Sequence, residues 1–215
     1  MTALSLTKDA LDGQMQTLIV VAGSFVFAVS GGLAGFKARL DLFGVLVLAA
    51  VVGLSGGALR DIMLGIPVTG IFDWRVVLSV ILAGFFSFVA GTRLLRWQRS
   101  IGAFDAVGLS LFSVIGTVIS LQHNAGPIPS SLLGMVTAVG GGAMRDIILN
   151  RVPAVLREGL YAVPALLGAS VVVLGYELGI ASIAWYGFSA GLCLAVRFMG
   201  MVFDVNLPRA RHAEE

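Results

Sequence analysis

Apolar residues run through this chain in stretches far longer than a strand or an amphipathic surface helix requires, and the polar residues gather between them. About 20 consecutive apolar residues suffice to cross the hydrocarbon core of a bilayer. Seven segments meet that measure: residues 16–36, 43–63, 75–95, 103–122, 131–149, 160–177 and 182–203. They are too long and too uniformly apolar for the alternating strands of an outer-membrane barrel, which run to about ten residues each. The pattern predicts an all-α membrane protein, seven transmembrane helices in a single membrane domain spanning 1–215.

Composition narrows the picture further. Charged residues make up 12% of the chain and hydrophobic ones 58%, with a mean hydropathy of +0.98, where a soluble domain carries about 25% charged residues. The 28 glycines follow no three-residue period, which excludes a collagen-like chain. The net charge of +2 is spread singly between apolar runs instead of forming a basic stripe, so no nucleic-acid partner is expected. The lone Cys193 excludes an intrachain disulfide and a multi-cysteine metal site. Hydrolase, zinc-protease and nucleotide-binding loop motifs are missing from the sequence, so neither an enzyme nor an ATP-driven pump is expected, and no cofactor.

The scarce charge sets an orientation. Lys8, Asp9 and Asp12 precede the first span and Lys37 and Arg39 follow it, the reverse of a signal peptide's order, so the span reads as an uncleaved helix. With the N-terminus outside, and setting aside Arg60, Arg145 and Arg197 inside or at the ends of spans, one side receives Lys37, Arg39, Arg93, Arg96, Arg99, Arg151, Arg157, Arg209 and Arg211, and the other only Lys8 and Arg75. That positive-inside bias predicts a multi-pass protein of a bacterial inner membrane with a cytoplasmic C-terminus.

An internal repeat lies within the apolar pattern. Gly56-Gly57-Ala58-Leu59-Arg60-Asp61-Ile62-Met63-Leu64 recurs 85 residues later as Gly141-Gly142-Ala143-Met144-Arg145-Asp146-Ile147-Ile148-Leu149. The same offset pairs Phe27 with Phe112, Val29 with Val114 and Gly31 with Gly116, and Pro67 and Pro153 follow the copies after a one-residue slip. Each copy falls in the second helix of a three-helix unit, one over about 16–95 and one over about 103–177, with a seventh helix at about 182–203. Three crossings are odd in number, so the second unit enters from the opposite side, as in inverted-repeat transporters.

The repeated unit carries the candidate chemistry. Gly53, Ser55, Gly56 and Gly57 in the second span, and Gly140, Gly141 and Gly142 in the fifth, strip those helices of bulk. Each interior glycine costs about 0.5–1 kcal/mol relative to alanine, which predicts kinks whose freed carbonyls meet a cation where the backbone lines a cavity. The same glycines also suit close helix packing, as do the Gly-x-x-x-Gly spacings at 31/35, 53/57 and 187/191. A charge at the bilayer centre costs about 2.5–3.5 kcal/mol on insertion scales, so Arg60, Asp61, Arg145 and Asp146 mark a polar path or a charge network between the units. Adjacent helical residues point apart, so each Arg and its Asp are expected to address different surroundings. Secondary candidates are Ser30, Ser55, Thr117 and Asp105, the last read as a charge at a helix start. Arg197, with Asp204 two turns on, reads as a snorkelling side chain, His123 as solvated, and Trp74, Trp97 and Trp185 as interfacial.

The doubled Gly-Gly-x-x-Arg-Asp-x-x-Leu, each copy with its following proline on a seven-helix inverted plan, resembles the prokaryotic trimeric intracellular cation (TRIC) channels over residues 15–205. The resemblance implies a homotrimer with one pore inside each protomer, between the second and fifth helices, passing potassium and other monovalent cations. The same sequence domain has also been labelled a glycine transporter. Animal members carry Lys-Glu-Val where this chain has Arg-Asp-Ile twice, so phosphoinositide dependence does not carry over; Lys37, Arg39, Arg93 and Arg96 still form a basic rim for anionic membrane lipids. The expected function is a passive potassium-permeable channel, with no metal held beyond transient potassium. The rival is a secondary carrier for glycine or a similar small solute, and a membrane scaffold is a third reading.

Overall fold

A computed structural model describes residues 13–157 and 160–203. Regular structure among them is helical: α1 (Gly13–Lys37), α2 (Leu42–Leu64), α3 (Thr69–Phe72), α4 (Trp74–Leu94), α5 (Ser100–Gln122), α6 (Pro127–Ile148), α7 (Ala154–Arg157), α8 (Ala162–Glu177) and α9 (Ile183–Phe203). The longer helices fall on the seven apolar segments within a few residues, while α3 and α7 are single turns that follow α2 and α6. Five helices, α1, α2, α4, α5 and α9, are long and apolar enough to cross a membrane. The 16-residue α8 is apolar but shorter, and α6 is diluted by glycine, serine and threonine. Lys8, Asp9, Asp12, Asp204, Arg209 and Arg211 lie outside the described residues.

The helix ends follow local chemistry, and the 85-residue offset reappears in them. Asp41 caps α2 by accepting from the Gly44 amide at 2.7 Å, and Asp73 caps α4 through the Arg75 amide at 2.9 Å. At its other end α2 turns off at Gly65 (φ 68°) and α6 at Asn150 (φ 53°), both in the left-handed conformation that closes a helix. The same pair of bonds completes each stop: Ile66 N to Asp61 O at 3.0 Å, and Arg151 N to Asp146 O at 2.8 Å.

Packing repeats the offset with the partners exchanged. A Cβ on Gly23 would lie 3.1 Å from the Phe112 ring, and one on Gly108 2.7 Å from the Phe27 ring. Gly31 lies against Val52 as Gly116 lies against Thr137. Gly56 abuts the Thr137 carbonyl as Gly141 abuts the Val52 carbonyl. Phe27 and Phe112, equivalent to each other, stack with centroids 5.3 Å apart. Reciprocity of this kind is the mark of a two-fold relation. Early α1 meets late α5, and α2 meets α6 in the same antiparallel sense, so the axis lies across the helices and the two units are inverted. The α9 helix packs on α5 and α8.

Small residues make these approaches feasible where hydrocarbon supplies no hydrophobic drive between helices. Buried hydroxyls on α5 return to their own helix: Ser110 to Val107 O at 2.8 Å, Thr117 to Ser113 O at 2.7 Å and Ser120 to Gly116 O at 2.8 Å. Large apolar side chains point outward, Phe43, Phe72 and Val89 among them. Gly56→Ala and Gly141→Ala should each cost about 1–3 kcal/mol by overpacking. The two should lower Tm to a similar degree, read by tryptophan fluorescence in detergent; an unchanged Tm would mean the crossing is looser than the backbone contacts indicate.

Candidate functional site

The two motif copies occupy the last turns of α2 and α6 and, because the units are inverted, lie at opposite ends of the bundle. Their glycines do not break the helices: α2 is helical through Gly53–Gly57 and α6 through Gly140–Gly142. The expected interruption with freed carbonyls is therefore absent, since in an apolar medium each unsatisfied backbone group costs several kcal/mol. The glycines serve contact instead. A Cβ on Gly140 would sit 3.1 Å from Gly56 Cα. One on Gly142 would strike the Tyr161 hydroxyl and come within 3.1 Å of Asp105 Oδ1.

Each arginine turns back onto its own neighbouring aspartate, contrary to the expectation of separate surroundings. Arg60 Nε and Nη2 donate to Asp61 Oδ1 at 2.9 and 2.6 Å, and Arg145 Nε donates to Asp146 Oδ1 at 3.0 Å. The Cα–Cβ directions do diverge, but the arginine stem is long enough to cross the gap. Each aspartate's second oxygen receives the first amide of the following short helix: Asp61 Oδ2 from Thr69 N at 3.3 Å, and Asp146 Oδ2 from Ala154 N at 2.9 Å. The aspartates thus join the end of one helix to the start of the next, at equivalent points of both units.

Beyond that shared core the copies differ. Arg145 Nη1 also donates to Asp105 Oδ1 at 2.8 Å and to Ser30 Oγ at 2.9 Å. Ser30 in turn donates to Ile101 O at 3.1 Å, so it bridges α1 to α5 and α6 instead of bonding back to its own helix. Asp105 is not a charge at a helix start: α5 begins at Ser100, and the carboxylate is buried as a tertiary partner of Arg145. Nor does Arg197 snorkel. It is buried, donates from Nη1 to Leu160 O at 2.9 Å and stacks 4.4 Å above the Tyr161 ring. Around the first copy the residues 85 positions away from Asp105, Ser30 and Tyr161 are Val20, Ile115 and Val76. A cavity of about 60 Å³ borders Arg60 and Asp61 there.

Of the remaining candidates, Thr117 stays on its own helix. Ser55 is half-buried with its hydroxyl unpartnered among the described residues. Trp74 and Trp97 are exposed, whereas the Trp185 ring nitrogen donates to Val171 O at 2.8 Å. His123 is exposed, with Nδ1 2.8 Å from Ile119 O. Sequence reasoning missed Tyr161. The only signal was indirect: a third glycine, Gly142, on the face where a bulky partner had to fit.

Comparison with known proteins places this arrangement. The sequence model of a family described as Glycine transporter matches residues 17–92 and again 102–177, an offset equal to that of the motif. The crystal structure of a TRIC trimeric intracellular cation channel orthologue from Rhodobacter sphaeroides superposes with a TM-score of 0.84 at 32% identity, over 88% of this chain and 98% of that one. The chain belongs to the prokaryotic TRIC channel family. Its curated relatives include a UPF0126 membrane protein of Deinococcus radiodurans, 41% identical over 70% of this chain and 71% of that one. The inner membrane protein YadS of Escherichia coli K12 is 35% identical over 85% of this chain and 84% of its own. The chain is accordingly a bacterial integral membrane protein, and its family role is that of a non-enzyme.

Within this TRIC fold Asp105 is, among the described residues, the one carboxylate brought to Arg145 from another helix. Breaking a buried pair by removing one partner costs about 3–5 kcal/mol. Asp105→Asn should fall near the low end, about 3 kcal/mol, because Asp146 remains, and should show as a clear drop in Tm. A Tm equal to that of the parent would mean the Asp105 bond is not formed in the folded protein.

Proposed function

We propose that the chain is a passive monovalent-cation channel, permeable to potassium, that assembles as a homotrimer with one path inside each protomer. The observation that carries this reading is the shared fold with the Rhodobacter channel across nearly its whole length. The path runs along the crossing of α2 and α6, between the two units at about 16–95 and 103–177, with the chain making seven crossings. Gly56, Gly57, Gly140, Gly141 and Gly142 let the helices touch in this closed arrangement and separate without rotamer clashes. Asp105 and Asp146 around Arg145 supply net negative potential at one end, and Asp61 offers a carboxylate at the other. Arg60 and Arg145 hold those carboxylates in place until the path opens.

The N-terminus lies outside and the C-terminus in the cytoplasm of a bacterial inner membrane, where the basic rim of Lys37, Arg39, Arg93 and Arg96 meets anionic lipid headgroups. Ser30 belongs to the Arg145 end of the path through its bond to that guanidinium. Ser55 and Thr117 are secondary members of the path. A glycine carrier has the description of the family model in its favour and nothing else.

Flux into liposomes tests the reading. Purified protein should carry an electrogenic potassium flux that does not saturate in the millimolar range, and Asp146→Asn should lower it several-fold with the trimer intact. Saturable glycine counterflow in place of potassium current would overturn the channel. Unchanged flux in the variant would take Asp146 out of the path.

A further inference from the structure

The two motif copies treat their arginines differently. Arg145 Nη1 is answered by a carboxylate from within the chain, Asp105, at 2.8 Å. At the equivalent place in the first unit stands Val20, and Arg60 Nη1 has no hydrogen-bond partner among the described residues although the side chain is only 5% exposed. Leaving such a buried donor unanswered costs about 1–3 kcal/mol, and more when it is charged.

Arg60 lines the cavity of about 60 Å³. That cavity shares Val20, Thr69, Gly70 and Val76 with an outer one of about 220 Å³ that also touches Asp73. Nothing from the chain fills the space above Gly57, where the nearest atom to a Cβ would be Arg60 Nη2 at 3.9 Å. At Gly142, its counterpart, the Tyr161 hydroxyl and Asp105 crowd in.

We infer that the cavity beneath the first motif copy binds a short carboxylate, whose carboxyl group takes Arg60 Nη1 as Asp105 takes Arg145. The second unit supplies the template, because an aspartate side chain beyond its Cα is a carboxyl group on one carbon. The size agrees: about 60 Å³ is the room of about two waters at about 30 Å³ each, enough for a carboxyl group and one further carbon. The walls are mixed: Val20, Val76, Phe112 and Ile119 are apolar, and Ser24, Thr69 and Asp61 stand beside Arg60. A carboxylate makes one charge-assisted bond to the guanidinium and lays its carbon on the valines.

Two sources share this chemistry. Acetate brings only the carboxyl group to an Arg60–Asp61 pair that is already neutral. A small amino acid such as glycine adds an ammonium group, which the Asp73 carboxylate in the outer cavity would face. The site borders the first-unit end of the path proposed above, and it is read by binding alone.

Equilibrium binding of radiolabelled acetate and of radiolabelled glycine to the purified full chain in detergent, with methylamine as competitor, tests the assignment. Saturable binding of one molecule per protomer, not displaced by methylamine, is expected. Binding of both compounds, or of acetate alone, shows that the carboxyl group suffices; binding of glycine alone shows that Asp73 reads the ammonium group too. Val20→Asp supplies the carboxylate from within and should weaken binding roughly tenfold or more. Gly57→Val fills the cavity from the opposite wall without altering charge, and should do the same if Val20→Asp does not assemble. Absence of saturable binding by either compound overturns the site, and so does binding that both variants leave unchanged. Neither result bears on potassium flux.

Discussion

Everything in this protein is arranged around a crossing of two helices whose backbones touch. Gly56 lies on the Thr137 carbonyl and Gly141 on that of Val52, so the contact is its own image under the pseudo-two-fold axis. Between helices in lipid there is no hydrophobic drive, and close van der Waals approach has to hold the pair together. Larger side chains at these positions would push α2 and α6 apart and carry the rest with them. The axis also decides where chemistry falls. Each Arg-Asp pair lies one turn or so beyond its crossing glycine, so the two-fold sends the pairs to opposite ends of the bundle.

Charge then has to be made tolerable at those ends. An arginine and an aspartate in adjacent positions enter the membrane as a neutral unit whose pairing needs no other helix, and the aspartate's spare oxygen anchors the next segment of backbone. The second unit adds partners from elsewhere: Asp105 from its own α5, Ser30 from the first unit, and the Tyr161–Arg197 stack beside them. That cluster ties more helices together than the first copy does, although Asp105 Oδ2 and the Tyr161 hydroxyl have no hydrogen-bond partner among the described residues.

Much of this is legible in the sequence. The helices could be placed from apolar run length alone, because a bilayer imposes a length that soluble folds do not, and the repeat was visible because Arg and Asp stand out in apolar sequence. The pairing of Arg60 with Asp61 was not legible: helical geometry fixes where a side chain starts but not where four rotatable bonds take it. Asp105 and Arg197 looked like end charges because their partners, Arg145 and Tyr161, come from other helices, and no local pattern announces a tertiary bond. The glycines read equally as kinks or contacts. Only the identity of what lies opposite them, a carbonyl in both cases, separates the two.

The exchange of Val20 for Asp105 has a consequence for direction. A channel that strictly obeyed its two-fold would offer an ion the same profile from either face, and its current would be symmetric in voltage. Here one end is set by a neutral pair beside an apolar wall, and the other by two carboxylates around one guanidinium. On the proposed path a cation would meet its deeper well early in one direction and late in the other. Such a path would rectify, and it would do so through a divergence between two halves that otherwise match.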